Sequence, residues 1–159
     1  TSYLRTWDWP RILQEFQRIA RPGGIIRLTE ADIVHESTSE AFSQNSEIAL
    51  DAFYQAGHIF DPNSKGIGDE LPRLLNRYGV VNVQSLDHIL EYRAGTDMGN
   101  RFAEDMKLGI RTGIAFFRKW SRKLDKLEAT SQQAILDLDK PDFFDRVRVV
   151  IAWGQKPGK

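Results

Sequence analysis

Residues 9–32, WPRILQEFQRIARPGGIIRLTEAD, decide how this chain folds. Ile12, Leu13, Phe16, Ile19 and Ala20 recur at helical spacing, while Arg11, Gln14, Gln17, Arg18 and Arg21 fill the opposite side. That periodicity predicts an amphipathic helix with one face laid against a core. Asp8 or Trp9 can cap its start, and Pro10 falls in the first turn, where a missing N–H costs nothing. Pro22 cannot continue the hydrogen-bond ladder, and Gly23-Gly24 permits the positive dihedrals of a sharp reversal. Ile25, Ile26 and Leu28 with Thr29 then form a nearly continuous apolar run, which predicts a short strand covered on both faces. A helix folding back into such a strand is half of a right-handed crossover unit.

Working outward, residues 33–68 exceed a plain connection. The polar run 35–46 is rich in capping residues, and Ile48, Ala52, Phe53, Ala56, Ile59 and Phe60 then repeat at helical spacing, which predicts a helix over residues 45–58. A second helix is expected from Asp69, its cap, through Leu71, Leu74, Leu75 and Tyr78 to Gly79. Residues 80–92 read as a long strand, longer than the usual five or six residues and therefore bent or bulged. The stretch 94–146 is again longer than a connection requires. Its apolar residues from Phe102 to Leu127 follow spacings of three and four, so one helix is expected over much of 101–127, with Gly109 or Gly113 as possible breaks. A short helix at 130–138 and a final strand at 147–153 complete the reading.

Composition bounds the function. The chain has 159 residues, 41% hydrophobic and 28% charged, which suits one globular domain with a core. Its 22 basic and 22 acidic side chains give no net field to attract nucleic acid or an anionic membrane. The face Lys107, Arg111, Arg118, Lys119, Arg122, Lys123 and Lys126 is basic, but Asp125 and Glu128 dilute it, and a solvated face is the favoured reading. There is no cysteine, hence no disulfide and no thiolate site, which fits a reducing, cytoplasmic setting. No apolar run reaches the roughly 20 residues of a membrane span.

Three ordered stretches resemble one family. Leu13-x-Glu15-x-x-Arg18-Ile19-x-x-Pro22-Gly23-Gly24 is similar to L-x-E-x-x-R-V-L-K-P-G-G, which precedes the fifth strand of class I S-adenosylmethionine-dependent methyltransferases. Residues 71–83, LPRLLNRYGVVNV, resemble that family's next helix and sixth strand, with Tyr78-Gly79-Val80 in place of the usual small residue, Gly and aromatic. Residues 147–153 and the exit Gly154-Gln155-Lys156-Pro157 resemble its closing seventh strand. The resemblance implies an α/β fold, the C-terminal half of a Rossmann-like methyltransferase domain. Residues 1–159 would form a single partial domain with a small mixed sheet and an antiparallel final hairpin. The insertions at about 33–68 and 94–146 would form a helical cover. It further implies methyl transfer from S-adenosylmethionine to a small-molecule acceptor.

The family's cofactor is held mainly by a glycine-rich loop and an acidic residue in the first half of the domain, and no such elements precede Trp9. Gly66-Ile67-Gly68 follows a loop rather than a strand, so it reads as a helix entry, and no cofactor-binding residue is assigned. The chain opens at Thr1 on what looks like the tail of an earlier element, and alone is expected to be inactive. The strand after Pro-Gly-Gly would then have a free edge, to be covered by the missing N-terminal half or by a homodimer partner.

Candidate site residues follow from position. Glu30 and Asp32 stand at the C-terminal end of the first strand, where ligands bind in open α/β sheets, and either carboxylate could orient a substrate hydroxyl or act as base. The resemblance places Tyr3, Arg5 and Trp7 beyond a preceding strand and Tyr54 and His58 in a substrate lid, with Phe53 and Phe60 equally readable as packing. Trp7 also suits a hydrophobic staple for the first helix. His35, His58 and His88 show no metal-ligand spacing. Two other classes stay open: a non-catalytic small-molecule-binding or assembly module, and nucleic-acid binding through the basic helix.

Overall fold

Helix α1 (Trp9–Ile19) buries Trp9 and Leu13 completely and is closed by the Ala20 amide donating to the Phe16 carbonyl. Asp8 sits at its N-cap, but its carboxylate accepts from the Arg5 amide (2.9 Å) and leaves the helix amides alone. The chain then reverses at Gly23, with φ of 72°, into β1 (Ile25–Ala31). Residues 4–158 are described by this computed structural model. Beyond β1 they form β2 (Glu36–Ser37), α2 (Glu40–Gln55), a 3-10 turn (Gly68–Glu70), α3 (Leu71–Arg77), β3 (Val81–Arg93), α4 (Asp97–Trp120), α5 (Leu127–Asp137) and β4 (Phe144–Gln155).

The sheet is organised on β4. One of its edges pairs with β1, from Ile25↔Gln155 to Ala31↔Val149, and, nearer its start, with the two residues of β2. Its other edge pairs with β3, from Val81↔Gln155 to Arg93↔Phe144. All three pairings are antiparallel, which corrects the expected mixed sheet. β1 and β3 do run in the same direction, but β4 lies between them, so no parallel ladder forms. The long β3 is irregular between Val81 and Gln84, where Asn82 adopts φ of 53°, the local kink expected of a strand this long.

β1 is covered on one face, where two were expected. Ile26 and Leu28 are buried in the core with Trp9, Leu13, Leu71, Leu75, Val150 and Ala152, while Ile25 is 59% exposed. Ile19 of α1, placed on the buried stripe by its spacing, is also exposed. Helix starts differ as well. α2 begins at Glu40 rather than at residue 45, because Ser39 caps it by accepting from the Phe42 amide. α4 begins at Asp97 behind the Thr96 cap and runs unbroken through Gly109 and Gly113 to Trp120. Glu70, not Asp69, is the N-cap of α3.

Alternation along β4 explains how the layers are divided. Asp145 and Val147 are buried, and so are Val150, Ala152 and Gly154, so the buried positions change parity near Arg148 and Val149. Successive side chains point to opposite faces, so the second half of β4 feeds the α1/α3 core and its first half turns toward α4. Tyr92, the register partner of Asp145, stacks on Phe102 of α4 with ring centroids 3.9 Å apart.

At the crossover stands Arg148. Its Nε donates to Asp32 Oδ2 at 2.9 Å and its Nη2 to Asp32 Oδ1 at 3.3 Å, while Nη1 reaches Asp69 (2.9 Å) and Asp87 (3.2 Å). One guanidinium thus joins the end of β1, the turn before α3, and β3. The hydrogen bond to Asp69, then that to Asp32, pushes Arg148 far above its ordinary pKa, and the same contact holds Asp69 below its own. Asp32 is 4% exposed. Arg148→Ala should therefore leave a buried carboxylate uncompensated and lower unfolding stability by about 3 kcal/mol in a urea titration. A loss below about 1 kcal/mol, the scale of an exposed pair, would show that Asp32 is effectively solvated.

Candidate functional site

Helices α2, α4 and α5 pack against one another over the first half of β4, and polar contacts fix their mutual placement. Ser39, the cap of α2, donates to Asp137 Oδ2 of α5 at 2.7 Å. Asn45 donates to Ser131 of α5 at 2.9 Å. Asp51 accepts from the Ser121 hydroxyl (2.8 Å) and the Arg122 amide (2.6 Å), so α2 also holds the C-terminal end of α4.

Beneath this cover lies a partly enclosed cavity of 130 Å³. Ile33, Phe42, Met106, Ile110 and Phe117 give it an apolar wall, and His35 brings an imidazole to it. His35 Nδ1 lies 2.8 Å from Asp145 Oδ2 across 110 residues of sequence. Phe42 meets the imidazole edge to face, with centroids 5.5 Å apart, and Phe102 flanks it at 6.0 Å. Asp145 is wholly buried, and its Oδ1 has no hydrogen-bond partner among the described residues. Burial, and then the charge of Asp145, pushes the Tyr92 phenol above its ordinary pKa.

A carboxylate that accepts the Nδ1 proton selects the tautomer whose Nε2 carries a lone pair, and it stabilises the imidazolium formed when Nε2 takes up a proton. Among the described residues Nε2 makes no hydrogen bond. An oriented imidazole in an apolar recess is an arrangement suited to acid–base work. The spacing of His35 carried no hint of this, since its partner lies on the last strand.

The expected site residues fall in separate places. Tyr3 lies outside the described residues. Arg5, Trp7 and His58 come together at the end of α2: the Thr6 amide donates to the Gly57 carbonyl, and His58 Nδ1 lies 2.9 Å from the Leu4 carbonyl. The Arg5 guanidinium covers the Trp7 ring at 5.2 Å, and that ring lies against Gly57, where a Cβ would come within 2.6 Å of it. Trp7 is nonetheless 61% exposed. His58 packs with Phe53 and Phe116, and Tyr54 lies against the α1/α3 core. Glu30 is half-buried on β1 and has a partner of its own. Both oxygens of Asp32 are held by Arg148, so neither is presented free to a ligand.

Lys107, expected on the solvated basic face, is instead 9% exposed and paired with Glu104 and Asp139. Arg118 pairs with Glu128 at 2.7 Å and Lys123 with Glu47 at 3.7 Å, so much of that face is neutralised locally. Gly66-Ile67-Gly68 leads through the 3-10 turn into α3. A Cβ on Gly66 would approach the Asp32 Cα to 3.1 Å, and one on Gly68 would meet Val150 at 2.5 Å. These glycines allow close interior packing, and the residues present do not fit an adenosyl or phosphate cradle. Among the described residues no three carboxylates or histidines gather as a metal site, and no helix is long and apolar enough to cross a membrane.

No family model matches the chain, and no curated protein matches it. Among solved structures it is similar to Haemonchus contortus Phospholethanolamine N-methyltransferase 2 in complex with phosphomonomethylethanolamine and S-adenosylhomocysteine. The likeness has a TM-score of 0.35 and 15% identity, and covers 94% of this chain and 30% of that chain. A distant structural neighbour is thus a methyltransferase, and this chain spans under a third of its length.

The hold of Asp51 on the end of α4 can be measured through pH. Burial pushes its carboxyl up, but hydrogen bonds from the Arg122 amide, Ser121 and Gln55 outweigh this and keep it below its ordinary value of 3.8. A carboxyl depressed in the folded state adds stability above its unfolded pKa and loses it as pH falls through the folded value. Asp51→Asn should cost about 1–2 kcal/mol at neutral pH, and progressively less below about pH 4. A difference that stays constant with pH in denaturant titrations would rule out this role.

Proposed function

We propose that this chain is the C-terminal part of an S-adenosylmethionine-dependent methyltransferase acting on a small molecule. The reading is carried by one juxtaposition: the helix, Pro-Gly-Gly and strand unit of residues 9–31 lies beside a closing strand that is also paired antiparallel to the long β3. The antiparallel pairing of β3 with the closing strand is what the sequence resemblances implied, and the pairing of β1 with that same strand joins the three stretches in one sheet. The segments at 33–68 and 94–146 contribute α2 and α4, which line the cavity at His35, and this supports reading them as a cover over an acceptor.

Cofactor binding belongs, on this reading, to a preceding segment. The interior packing of Gly66 and Gly68 supports this, since their Cα atoms face protein and no ligand could approach there. Calorimetric titration of the 159-residue chain with S-adenosylhomocysteine should show no binding, and a polypeptide carrying an upstream glycine-rich strand–loop–helix should bind it at micromolar concentration. Binding by the short chain would overturn the division of labour, and binding by neither would overturn the methyltransferase reading.

The same reading assigns the free edge of β1 to that preceding segment. Among the described residues β1 is the outermost strand on its side of β4, and Phe16, Ile19, Ala20 and Ile25 form an apolar groove alongside it. Isoleucines exposed beside an outer strand favour association. Alone, the chain should self-associate in sedimentation velocity, and Ile19→Lys combined with Ile25→Lys should reduce it to monomer. A monodisperse unsubstituted monomer would count against this assignment.

A further inference from the structure

We propose that the cavity beneath α2 and α4 binds a small aromatic alcohol of the phenol class, whose hydroxyl donates its proton to His35 Nε2. Size sets the first limit. At 130 Å³ the cavity is close to the roughly 150 Å³ of an apolar protein cavity that admits benzene, so it takes one ring and little more.

Wall chemistry sets the second. Phe42, Phe117, Met106 and Ile110 favour an apolar body, with edge-on ring packing and thioether contact available to an aromatic one. The polar groups at the margin are mostly engaged internally. Asn45 donates to Ser131, and the Ser46 hydroxyl donates to the Ser43 carbonyl at 2.7 Å. His35 Nε2 remains, and in the neutral tautomer that donates Nδ1–H to Asp145 it is an acceptor. A ligand must therefore bring a donor, which a hydroxyl does and a carboxylate or ketone does not. Asp145 never touches this ligand; it is a positioning residue that fixes the tautomer of the group that does. Identifying the ligand with a methyl acceptor rests on the reading above, whereas its binding does not.

The experiment contains no cofactor. Phenol and benzene are titrated separately into the 159-residue chain and followed by protein NMR, with the ¹⁵N shifts of the His35 imidazole recorded in parallel. Phenol is expected to bind about tenfold more tightly than benzene, the worth of one net hydrogen bond, and to shift Nε2 more than Nδ1. His35→Leu removes Nε2 and leaves the apolar wall; it should abolish the preference for phenol while benzene binds as before.

Should that variant fail to fold, His35→Asn keeps a donor toward Asp145 and removes Nε2, and the same loss of preference is expected. Equal affinity for the two rings in the unsubstituted chain, no binding of either, or a preference that survives in a folded variant would each overturn the proposal.

Discussion

Everything in this molecule depends on β4 lying between β1 and β3 and changing its buried face partway along. A strand paired on both edges has its backbone groups satisfied by neighbours, so its side chains alone decide which layers it supports. In the second half, Val150 and Ala152 enter the core built by α1 and α3. In the first half, Asp145 and Val147 are the buried positions, and the cover formed by α2, α4 and α5 lies over that end. The Arg148 guanidinium stands at the change of face and ties three carboxylates from three other elements to the strand. Losing the parity change would put charged side chains into one layer and apolar ones into water.

Legibility in the sequence followed the range of the interactions concerned. The first helix, the Pro-Gly-Gly reversal and both long strands were readable because local periodicity and backbone chemistry determine them within a few residues. α2 starts earlier than periodicity predicts because residues 35–46 look like a polar loop, yet Ser39 there is a cap whose hydroxyl is matched to Asp137, far along the chain. Lys107 reads as solvated because nothing nearby in sequence announces Asp139, the partner that allows its burial. The sheet order was beyond periodicity altogether, since a strand reads the same whether its neighbours are parallel or antiparallel.

The candidate site was the least legible part, for the same reason carried further. His35 and Asp145 are individually unremarkable residues in polar surroundings, and only folding brings them to 2.8 Å. Position at the end of β1 pointed to Glu30 and Asp32, and His35 lies three residues beyond Asp32. Which carboxylate remains available there is decided by partners drawn from β4, and those are not visible locally.

Two buried carboxylates therefore stand near the end of β1, and their partners separate scaffold from chemistry. Asp32 faces a guanidinium, a permanent cation with a forked geometry that holds both oxygens. Asp145 faces an imidazole, a ring that can donate on one nitrogen and accept on the other, and its Oδ1 is unpartnered among the described residues. Burying a carboxylate is costly whichever partner offsets it, and a guanidinium would have offset it more securely at both places. The less secure arrangement occurs where a cavity opens onto the imidazole, and a ligand that hydrogen-bonds Nε2 would polarise the ring toward Asp145 and so strengthen the contact that holds the buried charge. On the proposed ligand, the cavity, the imidazole and the buried carboxylate behave as one network.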